Sequence, residues 1–374
     1  MKKCVPGYSG LLALAVVTCA VLAGALLLPA PGDGPASTGH RQAAVGSPTP
    51  ADNLGHAHDR TRTAGPTPTA AVPSPVHQAE PVGRNSPYFY LGWGNPQDPL
   101  DIMRTTGTKH FALAFVTSDG SCDPVWDDTR PLNGGPEAQA ITRIRAAGGD
   151  VMVSFGGWSG RKLGQACGSA EELAGAYQKV IDAYRLRAID IDIEADEARS
   201  ADSRANTIDA LKIVKEKNPG IKEYVTFSAE PDGPDENGLA LINRAASVGV
   251  EIDGWVAMTF DFGAHRGSMA AVTTTCADGV ARAVRDAYGY DRATAYAHTG
   301  ISSMNGITDT SETVTLADYR TIVGYASAHH LARLSFWAVN RDRACPPDNH
   351  DGDACSGIGQ EAYVYGRALA RYHG

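Results

Sequence analysis

Isoleucine and acidic side chains alternate strictly over residues 188–194. This two-residue period predicts a β-strand, because successive side chains of a strand point to opposite faces. Three isoleucines share one face, and three carboxylates share the other: Asp190, Asp192 and Glu194. Carboxylates two residues apart on a strand lie roughly 6–7 Å from each other. Their charges repel, so at least one should hold a proton near neutral pH, which is how a protein prepares a general acid.

Eight segments with strand character alternate with helical segments along the chain. The predicted strands are residues 88–93, 110–116, 150–157, 188–194, 223–228, 254–260, 295–302 and 334–339. The predicted helices are residues 137–147, 170–184, 203–217, 239–247, 277–288, 316–329 and 359–372. Eight such repeats favour an α/β fold, a (β/α)8 TIM barrel that forms a single domain over residues 84–374. A doubly wound open sheet is the alternative, although the first strand lacks the Gly-x-Gly-x-x-Gly turn of dinucleotide-binding sheets.

The first part of the chain has a different composition from the rest. Residues 1–31 combine two lysines, an apolar run and Pro-Ala-Pro, which predicts a signal peptide or an uncleaved membrane anchor. Residues 32–83 are rich in Pro, Ala and Thr and poor in large apolar side chains, which predicts a disordered linker. His56 and His58 within the linker are better explained as a chance pair than as a metal site, because no further ligand is held nearby.

Charge and cysteine content narrow the function further. The chain has a formal charge of −9, and residues 1–83 contain five Lys or Arg and four Asp or Glu, which leaves −10 on the remainder. Without a basic cluster, nucleic acid is not an expected partner. Five cysteines follow the signal region, an odd number for a secreted protein. Cys122 and Cys167 fall in loops after neighbouring strands, and Cys345 and Cys355 enclose a short polar loop. We therefore predict these two disulfides and a free Cys276.

Candidate functional side chains follow the carboxyl ends of the predicted strands, where barrels place their active groups. Apart from the three carboxylates, they are Ser154, Gly157, Trp158, Met258, Phe260, Asp261, Phe262 and Trp337. Carboxylates, close-approach glycines and aromatic faces together suit sugar rings and the cleavage of glycosidic bonds.

Several motifs resemble glycoside hydrolase family 18, the chitinases. Residues 154–157 (SFGG) resemble the family's Ser-x-Gly-Gly motif, and residues 190–194 (DIDIE) resemble the last three acids of its Asp-x-x-Asp-x-Asp-x-Glu signature. Residues 258–261 (MTFD) are similar to the sixth-strand motif, and residues 335–342 to the end of secreted actinobacterial members. The resemblance covers nearly all of residues 86–374.

The resemblance implies a secreted, extracellular enzyme that acts on N-acetylglucosamine polysaccharides or oligosaccharides. Glu194 would protonate the leaving group, Asp192 would orient the substrate acetamide, and Asp190 would share a proton or hydrogen bond with Asp192, supported by Ser154. The acetamide itself would be the nucleophile, so configuration is retained and neither metal nor cofactor is needed. We expect a monomer, with an N-terminal membrane anchor as an additional possibility.

The chain departs from the family pattern at two places. The first Asp of the signature is Arg187 here, at the start of the strand, where we expect an effect on folding more than on chemistry. The tyrosine that flanks the sixth-strand Asp is replaced by Phe260 and Phe262. We therefore expect slow turnover, which Phe262→Tyr should raise, with Phe260→Tyr as the control.

Other interpretations remain open from the sequence alone. The acidic strand could be an ordinary strand with one solvated face, or Asp-x-Asp-x-Glu could bind a divalent cation. Trp337 could be a core residue, and Asp261 could cap a loop. A chitinase-like lectin without turnover is the main alternative to an enzyme, although such lectins usually lose an acid that this chain keeps.

Overall fold

The computed structural model describes residues 82–263, 267–348 and 351–374. Eight strands pair in parallel in their order along the chain. They are β1 Tyr88–Tyr90, β2 His110–Ser118, β3 Asp150–Gly156, β4 Ala188–Ile193, β5 Lys222–Glu230, β6 Gly254–Met258, β7 Thr299–Met304 and β8 Arg333–Trp337. At the seam, Leu334 N on β8 donates to Arg84 O just before β1 (2.8 Å). The sheet is thus a nearly closed TIM barrel, as predicted, and its sequential strand order excludes the doubly wound alternative.

Helices connect these strands and pack around the barrel. They are α1 Pro99–Thr106, α2 Pro136–Ala146, α3 Leu163–Ala166, α4 Ala170–Tyr184, α5 Ala195–Arg199, α6 Ala201–Lys217, α7 Glu236–Val248, α8 Met269–Tyr288, α9 Arg292–Ala297, α10 Leu316–His329 and α11 Val364–Leu369. Short strands at Pro124–Trp126, Gly233–Pro234, Gly306–Ile307 and Thr313–Val314 and a 3-10 helix at Val339–Arg341 complete the connections.

The alternating strands produce two separate apolar layers. One face of β4 packs its three isoleucines into the large core between barrel and helices, where their exposed fractions are 0–1%. The other face contributes to the barrel interior, whose apolar cluster includes Tyr88, Met152 and Tyr224. The buried Arg333 guanidinium lies over the Tyr88 ring (5.2 Å) and the Tyr224 ring (5.4 Å) in this interior. Polar side chains on the inner face of β4 are therefore enclosed by the barrel.

Several predicted element boundaries were wrong. The amino-terminal part of residues 295–302 is helix α9, and only the rest is strand β7. Helix α8 begins at Met269, well before residue 277, because the Ser268 side chain caps its first turn. The prediction missed this first part because its β-branched threonines have low helix propensity. The last predicted helix is limited to α11. Helix α1 was not predicted.

The two predicted disulfides are present in the structure. Cys122 is bonded to Cys167 and Cys345 to Cys355, while Cys276 is buried with a free thiol. The first bridge joins the loop after β2 to the segment after α3, and the second closes a loop after β8. Both constrain connections at the carboxyl ends of the strands.

The N-terminal predictions fall outside the described residues. These are the signal or anchor segment (residues 1–31), the linker (residues 32–83) except its last two residues, and His56 and His58. The last two linker residues, Val82 and Gly83, are buried, and Val82 joins the apolar cluster inside the barrel. Across the part of the chain that the structure describes, none of the helices has both the length and the hydrophobicity to cross a bilayer.

Candidate active site

The three carboxylates of the signature strand lie in a row at the carboxyl end of β4. Asp190 and Asp192 face the barrel interior, because the alternating isoleucines face the helices. Glu194 follows the strand directly and is the residue before helix α5. Asp190 is fully buried, Asp192 is 4% exposed, and Glu194 is half-buried. The row therefore rises from the barrel interior to the mouth.

Asp190 is held by hydroxyl groups from three neighbouring strands. Tyr88 Oη on β1 donates to Oδ2 (2.8 Å), and Ser154 Oγ on β3 donates to the same oxygen (2.7 Å). Thr226 Oγ1 on β5 donates to Oδ1 (2.8 Å). Within the described residues no hydrogen bond joins Asp190 to Asp192. The three donors fix the orientation of the Asp190 carboxylate below Asp192.

Asp192 has one carboxyl oxygen without a partner. Its Oδ1 is buried and has no hydrogen-bond partner among the described residues. Burial raises the pKa of Asp192 well above its usual range, and the charges of Glu194 and Asp190 raise it further. Lys162 and Arg333 oppose this shift. An unpartnered buried carboxyl oxygen is costly unless a ligand group satisfies it, so this atom marks a point where a polar group of a ligand would bind.

Glu194 has the protonation behaviour that an acid–base catalyst needs. Burial raises the pKa of Glu194 to about 7, against the opposing charge of Lys162. Further carboxylates at Asp261, Asp309 and Glu197 contribute to the rise. Near neutral pH this side chain therefore populates both its acid and its base form.

A cleft of about 940 Å³ opens above this row. Its aromatic lining residues are Tyr88, Trp93, Phe115, Trp158, Phe260 and Trp337. Its acidic lining residues are Asp127, Asp128, Asp192, Glu194, Asp261, Asp309 and Asp353. Trp337 stacks on Phe115 (centroids 5.5 Å apart, planes 10° apart). It also lines the cleft, so it is both a packing residue and part of the cleft surface. Trp158 is 70% exposed on the wall.

Two of the predicted ligand-contacting residues lie beneath the cleft. Ser154 supports Asp190 and is fully buried. Gly157 has a positive φ of 79° and donates from its backbone N to Asp192 O (2.8 Å). A Cβ at this position would lie 2.7 Å from the Phe115 ring, which explains the glycine. Trp158, Met258, Phe260, Asp261 and Trp337 line the cleft itself.

Phe262 does not belong to the described lining of the cleft, so the structure does not bring it together with the other predicted ligand-binding residues. Asp261 adopts a positive φ of 58° and turns the chain, so that Phe262 packs against Met269, Val272 and Val314. Phe260 is the phenylalanine that lines the cleft. The roles of test and control for tyrosine substitution are therefore exchanged.

Asp261 bonds a neighbouring loop and also lines the cleft. Its Oδ1 accepts hydrogen bonds from Thr310 N (3.1 Å) and Thr310 Oγ1 (3.3 Å), which fixes the loop after β7. Its backbone N donates to Glu312 Oε2 (2.9 Å). Because Asp261 also lines the cleft, it holds the loop and meets ligand space.

Metal ligation was considered for the signature strand. Over residues 82–263, 267–348 and 351–374, no group of three or more His, Cys, Asp or Glu side chains is arranged to hold a metal ion. Asp190 accepts three hydroxyl hydrogen bonds.

A (β/α)8 barrel with a row of carboxylates below an aromatic cleft has the architecture of a carbohydrate-active site. The catalytic domain of the hyperthermophilic chitinase from Pyrococcus furiosus has the same fold, with a TM-score of 0.71 and 27% identity, over 78% of this chain and 96% of that one. Active domain 2 of the Pyrococcus furiosus chitinase has also been crystallised in complex with chito-oligosaccharides.

Two sequence relatives are similar over most of the barrel. The "Probable bifunctional chitinase/lysozyme" of Escherichia coli strain K12 is 26% identical over 293 residues, which is 74% of this chain and 32% of that protein. Endochitinase 11 of Metarhizium anisopliae is 25% identical over 296 residues, 74% of this chain and 54% of that protein. The chain thus spans about a third to a half of the length of these relatives. No family model matches the chain. These relatives and solved structures are described as chitinases, in agreement with the resemblance to chitinases seen in the sequence.

Proposed function

We propose that this protein is a glycosidase that cleaves β-1,4 bonds in N-acetylglucosamine polymers, namely chitin or chitooligosaccharides. The observation that carries the proposal is the pair formed by Glu194, whose pKa is about 7 at the cleft floor, and the unpartnered buried oxygen of Asp192 beside it. One side chain can exchange protons at neutral pH, and the other lacks a polar partner that a substrate acetamide would provide. The chito-oligosaccharide complex of the Pyrococcus chitinase domain supports the choice of substrate.

The first chemical step uses the acid form of Glu194. Its carboxyl proton passes to the glycosidic oxygen as the bond from that oxygen to the anomeric carbon breaks. The carbonyl oxygen of the substrate's own acetamide attacks the anomeric carbon from the opposite side, which gives an oxazolinium ion. Asp192 contacts the acetamide and stabilises its positive charge, while three hydroxyl groups hold the neighbouring Asp190 carboxylate in place.

The second step uses Glu194 as a base. Its carboxylate takes a proton from water, and the water oxygen attacks the anomeric carbon as the oxazolinium ring opens. The acetamide is regenerated and Glu194 recovers its proton. Two inversions at the same carbon retain the β configuration. This scheme uses protein side chains, the substrate and one water molecule.

The test is an assay of the purified protein on soluble N-acetylglucosamine oligomers with the products separated by size. We expect shorter oligomers whose new reducing ends are initially the β anomer by proton NMR. EDTA should leave the rate unchanged, and strong inhibition would instead support a metal-dependent reaction. Tight binding of oligomers without any turnover would contradict the proposal and indicate a chitinase-like lectin. Cleavage of peptidoglycan but not of chitin oligomers would overturn the choice of substrate.

We further propose that the protein is exported and acts outside the cell as a monomer. The basic and apolar composition of residues 1–31 and the two disulfides support export, because disulfides persist in oxidising compartments. Mass analysis of the full chain after expression in a secreting host would distinguish a cleaved signal from a membrane-retained anchor. Protein found only in the cytoplasm would contradict export, and size-exclusion chromatography would test the monomer.

A further inference from the structure

Lys162 is a buried lysine directly behind the cleft wall. It lies in the connection between β3 and α3 and is 5% exposed. Its Nζ donates to three backbone carbonyls, those of Gly156 (3.4 Å), Gly157 and Ser159 (2.6 Å). An ammonium group has three N–H donors, and the three carbonyls match them. These carbonyls belong to the turn that carries Trp158 on the cleft wall.

The charge of Lys162 faces the acids of the site but contacts none of them directly. Among the described residues it forms no ion pair, although Glu197, Glu194, Asp192 and Asp128 all act on it electrostatically. Burial lowers the pKa of the Lys162 ammonium, and these four acids raise it again. A buried charge needs such compensation to remain ionised. The lysine therefore depends on the acids, and the acids in turn experience its positive field.

Three carboxylates and one lysine act on the charge of Glu194 with opposite effects. Asp261 and Asp309 line the cleft above it, and Glu197 lies on α5, one turn further along the chain. These carboxylates raise the pKa of Glu194, together with burial, and Lys162 is the cation that lowers it. The positive charge of Lys162 therefore opposes the effect of these three carboxylates on Glu194.

We propose that Lys162 is a positioning residue of the active site, which fixes the turn of residues 156–159 on the cleft wall and holds a positive charge that acts on Glu194 and Asp192 during proton transfer. The proposal rests on the proposed glycosidase function, because it assigns the lysine to that reaction. It predicts that loss of the charge changes how Glu194 titrates, whereas a purely structural lysine would change stability alone.

The test compares Lys162→Met with Lys162→Arg and Glu197→Gln. In Lys162→Met we expect the alkaline limb of kcat/KM to move upward by roughly one pH unit, because an opposite charge near a carboxyl typically shifts its pKa by 1–3 units. Lys162→Arg keeps the charge but not the three-carbonyl geometry, so the limb should stay in place while KM rises. Glu197→Gln removes a like charge and should move the limb downward.

A second readout does not depend on turnover. Carbon-13 NMR of protein labelled at the glutamate side-chain carboxyls, assigned with Glu194→Gln, gives the titration of Glu194 directly. We expect the same upward shift in Lys162→Met and no shift in Lys162→Arg. A folded Lys162→Met protein in which Glu194 titrates as in the parent would overturn the inference.

The outcomes separate the two proposals. A parent protein without turnover refutes the glycosidase function, and the NMR titration then still decides whether the lysine acts on Glu194. If Lys162→Met does not fold, Lys162→Gln removes the same charge but keeps polar donors for the carbonyls, and an unshifted Glu194 titration in that variant would overturn the inference. A Glu194 titration that moves in Lys162→Arg although the charge is kept would refute a role for that charge.

Discussion

Asp150 and Asp192 lie on neighbouring strands of one barrel, at opposite ends, and their carboxylates have opposite surroundings. At the amino end, Asp150 accepts hydrogen bonds from Arg145 (2.7 Å) and Arg187 (2.7 Å). Burial alone would raise the pKa of Asp150, but these two arginines hold it below its usual value. At the carboxyl end, Asp192 is buried with an unpartnered oxygen and a raised pKa. An aspartate is thus ion-paired with arginines at the end of the barrel where it stabilises the fold, and among the described residues it has no such partner at the end where it lines the cleft.

This comparison also explains the departure at the start of the signature strand. Arg187 stands where the signature that this strand resembles has its first aspartate, just before β4 and so at the opposite end of the barrel from Glu194. Its side chain is exposed and bonds Asp150 of the neighbouring strand. The substitution therefore falls in the part of the barrel whose charges are paired.

Among the variants that test this contrast, exchanging the two aspartates for asparagine has the largest expected effect. Asp192→Asn should lower kcat by about 10²–10³-fold, because an amide, unlike a carboxyl group, cannot become an anion as positive charge develops on the acetamide. Asp150→Asn should leave kcat within a few-fold and lower the free energy of unfolding by about 1–2 kcal/mol, since it loses charge-assisted hydrogen bonds. Steady-state kinetics and urea unfolding of both variants measure the contrast. Equal losses of kcat in the two variants would abolish it.

The next effect is on pH dependence. Glu194 must carry a proton to act as the acid, and burial raises its pKa to about 7. We therefore expect kcat/KM to fall as the pH rises through about 7, because the acid form of the free enzyme is lost. Initial rates on a soluble oligomer between about pH 5 and about pH 9 measure this limb. A profile that stays flat across that range would show that Glu194 is not the titrating acid.

Glu223 is the position that most challenges the comparison. It lies near the amino end of β5, fully buried, and neither carboxyl oxygen has a hydrogen-bond partner among the described residues. Burial raises the pKa of Glu223 to about 8, against the charge of Lys215. The unfolded chain ionises this group at its usual, lower pKa, so the folded state loses relative stability as the pH rises from that value to about 8.

Glu223→Gln should remove this pH dependence. Above about pH 8 we expect the free energy of unfolding of the variant to exceed that of the parent by on the order of 1–3 kcal/mol, with little difference at about pH 5. Urea unfolding at both pH values measures it, with kcat as the control that should not change. A variant that is destabilised equally at both would indicate that the carboxyl has partners in solution.

The smallest expected effect concerns the missing tyrosine. Phe260 lines the cleft and Phe262 packs against Met269 and Val314. Phe260→Tyr should raise kcat up to about tenfold, since a hydrogen bond to developing charge contributes about 1–3 kcal/mol and part of that is lost in desolvation. Phe262→Tyr is the matched control and should leave kcat unchanged. A gain in Phe262→Tyr alone would contradict the observed orientation of this loop.

Much of the barrel and of the acidic row follows from sequence periodicity. Alternation at Asp190, Asp192 and Glu194 is a local property, and so is the apolar character of β2. The partners of Asp190 could not be found in this way. Tyr88 and Thr226 are two of several hydroxyl-bearing residues on β1 and β5, and only the closure of the sheet brings these two to one carboxylate.

The positions of several loop residues could not be predicted from the sequence either. Asp309 and Asp353 line the cleft from connections after β7 and β8, which have no periodicity to predict their direction. The direction of Phe262 could not be predicted, because the turn before it depends on a left-handed conformation at Asp261, where no glycine signals a positive φ. Lys162 has the sequence context of an exposed loop lysine, and its burial depends on carbonyls of a turn that folds over it.

The central claim is that Glu194 transfers the proton in a cleft built to bind N-acetylglucosamine units. The most direct measurement is kcat and oligosaccharide affinity of Glu194→Gln beside those of Glu171→Gln, which makes the same change on the exposed first turn of α4. We predict that Glu194→Gln loses about 10²–10⁴-fold or more in kcat with nearly unchanged affinity by calorimetry, and that Glu171→Gln matches the parent. Turnover by Glu194→Gln within a few-fold of the parent would contradict the account.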